Sequence, residues 1–182
     1  SLMARKPGEI TDPQELATYY LATAEFPSGF MTRYAPSAIV AENASAELAP
    51  GFPVGKRFAS VPVTRVADGN VVHLGHHARA DGRWRIYAFA DADSSALTAW
   101  AEWLASEGSP IARHTPAGAD ADAVFDVKVV YPQSYDEVDI ERVPAVFLPQ
   151  SGPLGLTDWE KVFAAGPSTW NDVDIFAERE VS

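Results

Sequence analysis

The chain has 182 residues, of which 47% are hydrophobic and 21% charged, a balance that is ordinary for a folded soluble domain. Its 25 acidic and 14 basic residues give a formal net charge of −11, and a body this acidic is repelled by phosphate backbones and anionic lipid, which argues against nucleic-acid and membrane partners. Cysteine is absent, which excludes disulfides, thiolate metal sites and Cys-x-x-Cys redox chemistry and is typical of a cytoplasmic protein.

The beginning of the chain predicts neither a secretion signal nor a membrane span. Residues 1–11 are polar and lack the apolar core of a signal peptide. No apolar run in the sequence approaches the roughly 20 residues that a membrane-spanning helix needs. Because Ser1-Leu2-Met3 resembles an expression scar, we expect the chain to be a piece of a longer protein.

Residues 1–58 predict one helix followed by a connecting arm. Asp12 is placed to cap a helix beginning at Pro13, with Glu15 completing a capping box, and the helix should end near Phe26. The sequence then becomes irregular, with recurring proline and glycine and one Ala-rich stretch that favours a short helix. An irregular segment of this length is poor material for an independent domain, so we read it as a connection or arm.

Residues 59–182 predict alternating strands and helices, beginning with two short strands. Residues 61–66 read as an edge strand, because Pro62 cannot donate a hydrogen bond into a ladder. Asp68-Gly69-Asn70 forms a turn, and residues 71–78 read as the next strand.

Residues 81–91 contain the strand around which the domain is expected to be built. From Trp84 to Ala90 the side chains alternate between two faces, and beyond Arg85 both faces are apolar. This pattern is typical of a central strand in a sheet that is covered on both sides. We therefore predict a central position, with antiparallel pairing to the strand over 71–78.

A helix and a second strong strand are predicted next. Asp93-Ser94-Ser95 can cap a helix, which Gly108 and Pro110 terminate and whose apolar residues recur at helical spacing: Leu97, Trp100, Ala101 and Leu104. Residues 124–131 form the second strand. Because a helix separates the two strong strands, they should be parallel, with a right-handed crossover.

The last third predicts a short strand over 145–148, between Pro144 and Pro149, and a capped helix from Thr157 through Ala164. Asp174-Ile175-Phe176 should pack near the end. The resulting fold class is α/β, with an element order close to a thioredoxin-like mixed sheet flanked by helices.

Three histidines form an H-x-x-H-H cluster at His73, His76 and His77, which on a helix would converge on a metal. On the predicted strand, His73 and His77 would lie about 13 Å apart on one face while His76 points away. We therefore interpret them as partly exposed strand residues. The alternative is a stand-alone metal- or small-molecule-binding module or enzyme that uses the region from His73 to His77.

Two further groups of residues favour a structural interpretation. Asp120, Asp122 and Asp126 lack the glycine and glutamate of a calcium loop, so we read them as a solvated turn that enters a strand. The tryptophans could stack on a ligand, but core or interface positions are favoured for Trp84, Trp100, Trp103, Trp159 and Trp170. Nucleotide-cradling glycine motifs and the G-x-S-x-G elbow do not occur in the sequence.

Several stretches resemble the C-terminal part of the FAD-dependent phenol and 3-hydroxybenzoate hydroxylases. The segment with Glu25-Phe26-Pro27-Ser28-Gly29 and Arg33-Tyr34-Ala35-Pro36-Ser37 resembles the run that links their substrate-binding part to the C-terminal domain. The other matching stretches are residues 81–89, Ser109-Pro110, 118–120, 125–129, 155–163 and 174–176. At the end the family tends to have Arg-Gly where this chain has Arg179-Glu180, from which we expect a local change in the tail.

The resemblance implies that residues 59–182 are a thioredoxin-like domain without redox cysteines that contributes to subunit contacts. Residues 1–58 would be the end of the parent's substrate domain and the linker. Because residues 11–58 would rest on parent domains that are missing here, the resemblance predicts that they are extended, swapped onto a neighbouring copy or poorly ordered. The parent would use FAD and NADPH to hydroxylate a phenolic ring and would form a homodimer or higher homo-oligomer. Because the flavin-binding motifs of the family lie upstream, the resemblance predicts no catalytic, cofactor-binding or metal-binding residues in this chain, which would assemble subunits beside the upstream FAD and substrate domains.

Overall fold

The computed structural model describes residues 12–24, 26–42, 46–165 and 173–181. The chain divides into two compact units. One comprises residues up to 47 together with 52–59, and the other comprises 48–51 together with 60–182. Across the described ranges, no helix combines the length and apolar character needed to cross a bilayer.

The first unit contains helix α1, Pro13–Thr23, followed by turns. Asp12 is its N-cap, as predicted, and the carboxylate accepts a hydrogen bond of 3.0 Å from the backbone N–H of Gln14. The proposed capping-box role of Glu15 concerns a side chain outside the described residues. Near the end of the arm, a 3₁₀ helix at Ala46–Leu48 occupies the stretch for which a short helix was predicted.

The second unit is built on a five-stranded mixed sheet, which confirms the predicted thioredoxin-like α/β class. The strand order is β2-β1-β7-β4-β3, and β5 and β6 form a separate two-stranded hairpin. The strands are β1 Pro62–Arg65, β2 Val71–His73, β3 Trp84–Phe89, β4 Phe125–Tyr131, β5 Gln150–Ser151, β6 Leu156–Thr157 and β7 Val162–Ala164. The helices are α2 Ser95–Ala105, α3 Pro110–His114 and α4 Ile175–Glu178.

Strand β3 lies at one end of the strand order, so the prediction that it is central was wrong. Its two apolar faces have another cause, namely that elements cover the sheet on both sides. One face packs on the core below α2, whereas on the other Phe89 meets the Phe176 ring of α4 edge-on, 5.5 Å between centroids. Apolar residues on both faces of a strand thus indicate that the sheet is covered on both sides. They do not indicate that the strand is hydrogen-bonded to another strand along both of its edges.

The predicted strand over 71–78 and its pairing with β3 were also wrong. Strand β2 ends at His73, and a 3₁₀ helix at Leu74–His77 follows, because this turn buries Leu74 completely. The antiparallel partner of β2 is β1, with Val63 opposite Val72. Strand β1 itself is interior, between β2 and β7, and not an edge strand; Pro62 is accommodated as its first residue.

The α2 helix and strand β4 confirm the prediction made from their periodicity. Leu97, Ala101 and Leu104 on α2 are buried against β4, whose pairing with β3 is parallel as expected. The short α3 helix, which begins at Pro110, was not foreseen. The core also contains Ala90, Val127, Val129, Tyr131, Val143, Phe147 and Val162.

Two predictions in the last third were wrong. Residues 145–147 form a 3₁₀ helix rather than a strand, and it places Phe147 in the core. The helix predicted through Ala164 is instead a 3₁₀ turn, Trp159–Lys161, followed by β7 in the middle of the sheet. The turn is capped by Asp158, whose carboxylate accepts from the backbone N–H of Glu160 at 2.9 Å, and not by Thr157, which lies in β6.

The end of the chain packs as expected, since Ile175 is fully buried. The local change expected in the tail at Arg179-Glu180 stays a prediction. Glu180 has a φ of +48°, in the left-handed region that favours glycine.

Candidate functional site

A buried cluster of charged side chains is the most polar feature inside the second unit. Strand β4 alternates apolar and charged residues, so Val127 and Val129 face the α2 side while Asp126 and Lys128 lie on the opposite face. The Asp126 carboxylate is 2% exposed and Lys128 is 4% exposed. Lys161, from the turn before β7, is 2% exposed and joins them.

The cluster is held by ion pairs between residues at the beginning of three strands, β3, β4 and β7. Asp126 Oδ2 contacts Lys128 Nζ and lies 2.9 Å from Arg85 Nε, an ion pair without hydrogen-bond geometry. Asp126 Oδ1 lies 2.9 Å from Lys161 Nζ. Lys161 also contacts Asp122, which accepts from Arg83 at 2.7 Å.

The pKa values in the cluster follow from burial and pairing. Burial disfavours the charged form of Asp126, but hydrogen bonds and attraction from Lys128 and Lys161 outweigh it and lower the pKa of Asp126 below its usual value. Burial lowers the pKa of Lys128, although Asp126 opposes the change. The hydrogen bonds from Arg85 and Arg83 hold the pKa of Asp81 well below its usual range.

These contacts correct one prediction from the sequence. Asp122 and Asp126 are not a solvated turn, because both are buried and ion-paired. Asp120 is exposed, and its carboxylate accepts from the backbone N–H of Gly152 at 2.9 Å, tying the hairpin to this loop. The charged residues Asp126 and Lys128 within an apolar strand were the sequence signal for this cluster. Their partners Arg85 and Lys161 lie far away in the sequence.

The cluster stabilises the sheet and is not arranged for catalysis. It lies at the amino ends of the parallel strands β3, β4 and β7, whereas ligands in α/β sheets bind beyond the carboxyl ends. A cavity of about 470 Å³ adjoins it, lined on one side by His76 and His77. Because each buried carboxylate and ammonium is engaged by an opposite charge, the cluster ties three strands together and leaves these groups little freedom to transfer protons.

The histidines are distributed differently from the prediction. His73 ends β2 and is exposed, as expected of a strand residue, but His76 and His77 lie on the 3₁₀ helix. The rings of His73 and His76 are 5.1 Å apart, and His77 packs edge-on against Phe163. Burial, with repulsion from Arg65, lowers the pKa of His77. Within the described ranges, no three His, Asp or Glu side chains are grouped so as to hold a metal.

The tryptophans divide between core and surface. Trp100 packs on the core, with its ring 6.4 Å from that of Phe147. Trp84, Trp103 and Trp159 are each about half exposed. Trp170 lies outside the described residues.

The junction between β3 and α2 is where a dinucleotide would bind in a βα unit, and it does not fit one. Asp91 follows β3 and directs its carboxylate at the start of α2, where it accepts from the backbone N–H groups of Leu97 at 3.0 Å and Ala96 at 3.1 Å. The hydrogen bond from Leu97 contributes most to holding the pKa of Asp91 well below its usual range. A flavin pyrophosphate would meet a carboxylate and occupied donors there.

Residues 32–182 match the family model described as phenol hydroxylase, C-terminal dimerisation domain. The chain is 45% identical over 159 residues to a 3-hydroxybenzoate 4-monooxygenase of Comamonas testosteroni, an alignment that covers 84% of the chain and 25% of the relative. It is 26% identical over 170 residues to the FAD-dependent monooxygenase terD of Aspergillus terreus, covering 88% of the chain and 28% of that relative. The chain thus spans about a quarter of the length of these relatives.

Proposed function

This chain belongs to the family of phenol hydroxylase C-terminal dimerisation domains, and we propose that it joins two copies of an aromatic-ring monooxygenase without taking part in the chemistry. The observation that carries this proposal is the match of residues 32–182, which includes the whole five-stranded sheet. The geometry supports it, because the charged residues of the sheet are used in pairing with one another and Asp91 occupies the junction where a flavin phosphate would bind.

The parent protein, on this proposal, uses FAD and NADPH to hydroxylate a phenolic ring. Two relatives support a monooxygenase parent, one named for 3-hydroxybenzoate and the other for its dependence on FAD. The cofactors would be held by polypeptide upstream of this chain, and no flavin would bind within it. A cytoplasmic location, with which the absence of cysteine agrees, is part of the same proposal.

We further propose that residues 1–58 close the parent's preceding domain and lead into the assembly domain of residues 59–182. No described side chain in 12–24, 26–42 or 46–59 is fully buried. An apolar hollow of about 740 Å³ lies on the first unit, lined among others by Tyr19, Tyr20, Phe26 and Met31, and all of its lining residues precede the family match. A surface of this kind is suited to packing on the remaining three quarters of the parent.

Limited proteolysis of the chain tests this division. Cleavage should concentrate before residue 60, because unprotected loops are cut first, and a fragment that begins near Ser60 should persist. Mass spectrometry of the fragments identifies the sites. Early cleavage within the sheet of residues 62–164, with the first unit intact, would contradict the division.

The proposed assembly function is tested by the mass and the absorbance of the purified chain. Light scattering should give the mass of a dimer or larger species, and the protein should be colourless after addition and removal of FAD. A monomer at every concentration would refute the assembly function, whereas a retained flavin would refute the claim that the chain takes no part in the chemistry.

A further inference from the structure

The β5–β6 hairpin presents apolar side chains to solvent within a span of six residues. Leu154 at its tip is 79% exposed, Leu156 in β6 is 65% exposed and Trp159 in the following turn is 48% exposed. We name these three residues the hairpin patch. A folded domain rarely places three large apolar side chains so close together on its surface unless another molecule covers them.

Hydrogen bonds hold the backbone of the hairpin that carries the patch. The hairpin is attached at its tip by the 2.9 Å hydrogen bond from Gly152 N–H to Asp120, and at its base by a 2.9 Å hydrogen bond from Asp158 N–H to the carbonyl of Pro149. Gly152 and Gly155 adopt positive φ angles, +72° and +59°, that give the turn its shape. Because these bonds hold the backbone of the hairpin in one arrangement, its association with a partner loses little backbone conformational entropy.

The ionic cluster connects the patch to the sheet. Lys161 lies two residues after Trp159, and its ammonium contacts Asp122 and Asp126. The turn that carries Trp159 is therefore tied by ion pairs to the beginning of β4. This is a suitable foundation for an interface that must hold large subunits together.

We infer that the hairpin patch is the centre of the interface with a second copy of this chain, the two copies packing patch to patch across a two-fold axis. The inference rests on the proposed function, because the family match is to a dimerisation domain and so identifies the occupant as another copy. A two-fold interface is self-complementary, and like apolar surfaces satisfy this without opposite charges. The exposed area of the three side chains is on the order of 400 Å², about half of the ~800 Å² per partner that a standard interface buries.

The experiment compares matched pairs of variants of the full chain by sedimentation equilibrium. Leu156→Ser is paired with Leu48→Ser, since Leu48 is 67% exposed, and Trp159→Ala is paired with Trp103→Ala, since Trp103 is 50% exposed. The net charge is unchanged in all four. Each patch variant should raise the dimer dissociation constant about ten-fold or more, because the loss occurs in both copies, whereas each control should change it less than about two-fold.

The outcomes separate this inference from the proposed function. A dimeric wild-type chain whose association is unaffected by the patch variants would overturn the inference and leave the assembly function standing. A monomeric wild-type chain would overturn both. Because the four side chains are exposed, the variants should keep the wild-type circular dichroism spectrum, and the Trp159→Ala variant decides the question if Leu156→Ser does not fold.

Discussion

Removal of the Asp126 charge should be among the most destabilising polar substitutions in this protein. Asp126→Asn keeps the size of the side chain but deprives Lys128, Lys161 and Arg85 of a carboxylate. Lys161 retains Asp122 and, at 3.6 Å, Asp158, and Arg85 retains Asp81 at 2.7 Å. Lys128 has Asp126 as its carboxylate partner in the described ion pairs and is 4% exposed, so it would be left as a buried, uncompensated cation.

The magnitude follows from this single orphaned ammonium. Breaking a buried pair by removing one partner costs about 3–5 kcal/mol, and domains of this kind have a free energy of unfolding of about 5–15 kcal/mol. We therefore expect Asp126→Asn to remove about a fifth or more of the stability. Adding Lys128→Met to the same chain should restore at least half of the loss, because the uncompensated charge is then removed as well.

Urea denaturation followed by circular dichroism measures these effects, at one fixed protein concentration because dimerisation contributes to the apparent stability. Asp139→Asn is the control, since its ion pair with Arg142 is exposed and such pairs contribute about 0–1 kcal/mol. A loss below about 1 kcal/mol for Asp126→Asn, or no recovery in the double variant, would refute the reasoning.

Three further predictions follow from the structure. Gly51→Ala should destabilise the chain by about 1–3 kcal/mol in urea denaturation, because its Cβ would lie 2.2 Å from the backbone oxygen of Arg179, whereas Gly108→Ala, with nothing within 4 Å, should not. The melting temperature should fall as the pH drops below 6.5, because the lowered pKa of His77 lets the unfolded chain bind a proton that the folded chain does not, and His77→Gln should flatten this dependence. Added salt should lower the dimer dissociation constant, since each copy carries −11, and a rise would indicate an interface of ion pairs.

The elements with a clear period were predictable from the sequence. Leu97, Ala101 and Leu104 recur at helical spacing, and residues 124–131 alternate as a strand, so α2 and β4 were identified from the sequence, as was the parallel pairing of β4 with β3. Strand β7 was missed because its three residues are all buried and so show no alternation. The cap that was predicted at Thr157 is formed by Asp158, and it begins a single 3₁₀ turn rather than a helix.

The charged cluster could be predicted only in part. Asp126 and Lys128 in an apolar strand indicate a polar feature on one face, but nothing local in the sequence identifies Lys161 and Arg85 as their partners. These contacts depend on strand order, which the composition of the strands does not specify. For the same reason β3 was assigned a central position, since its composition indicates that both faces are covered and does not indicate how many strands pair with it.

The mass of the unmodified chain in solution, measured by sedimentation equilibrium over a range of concentrations, decides whether this domain joins two copies. We expect a colourless species of twice the 19.6 kDa chain mass, which dissociates on dilution. A species of 19.6 kDa at the highest concentration would contradict it.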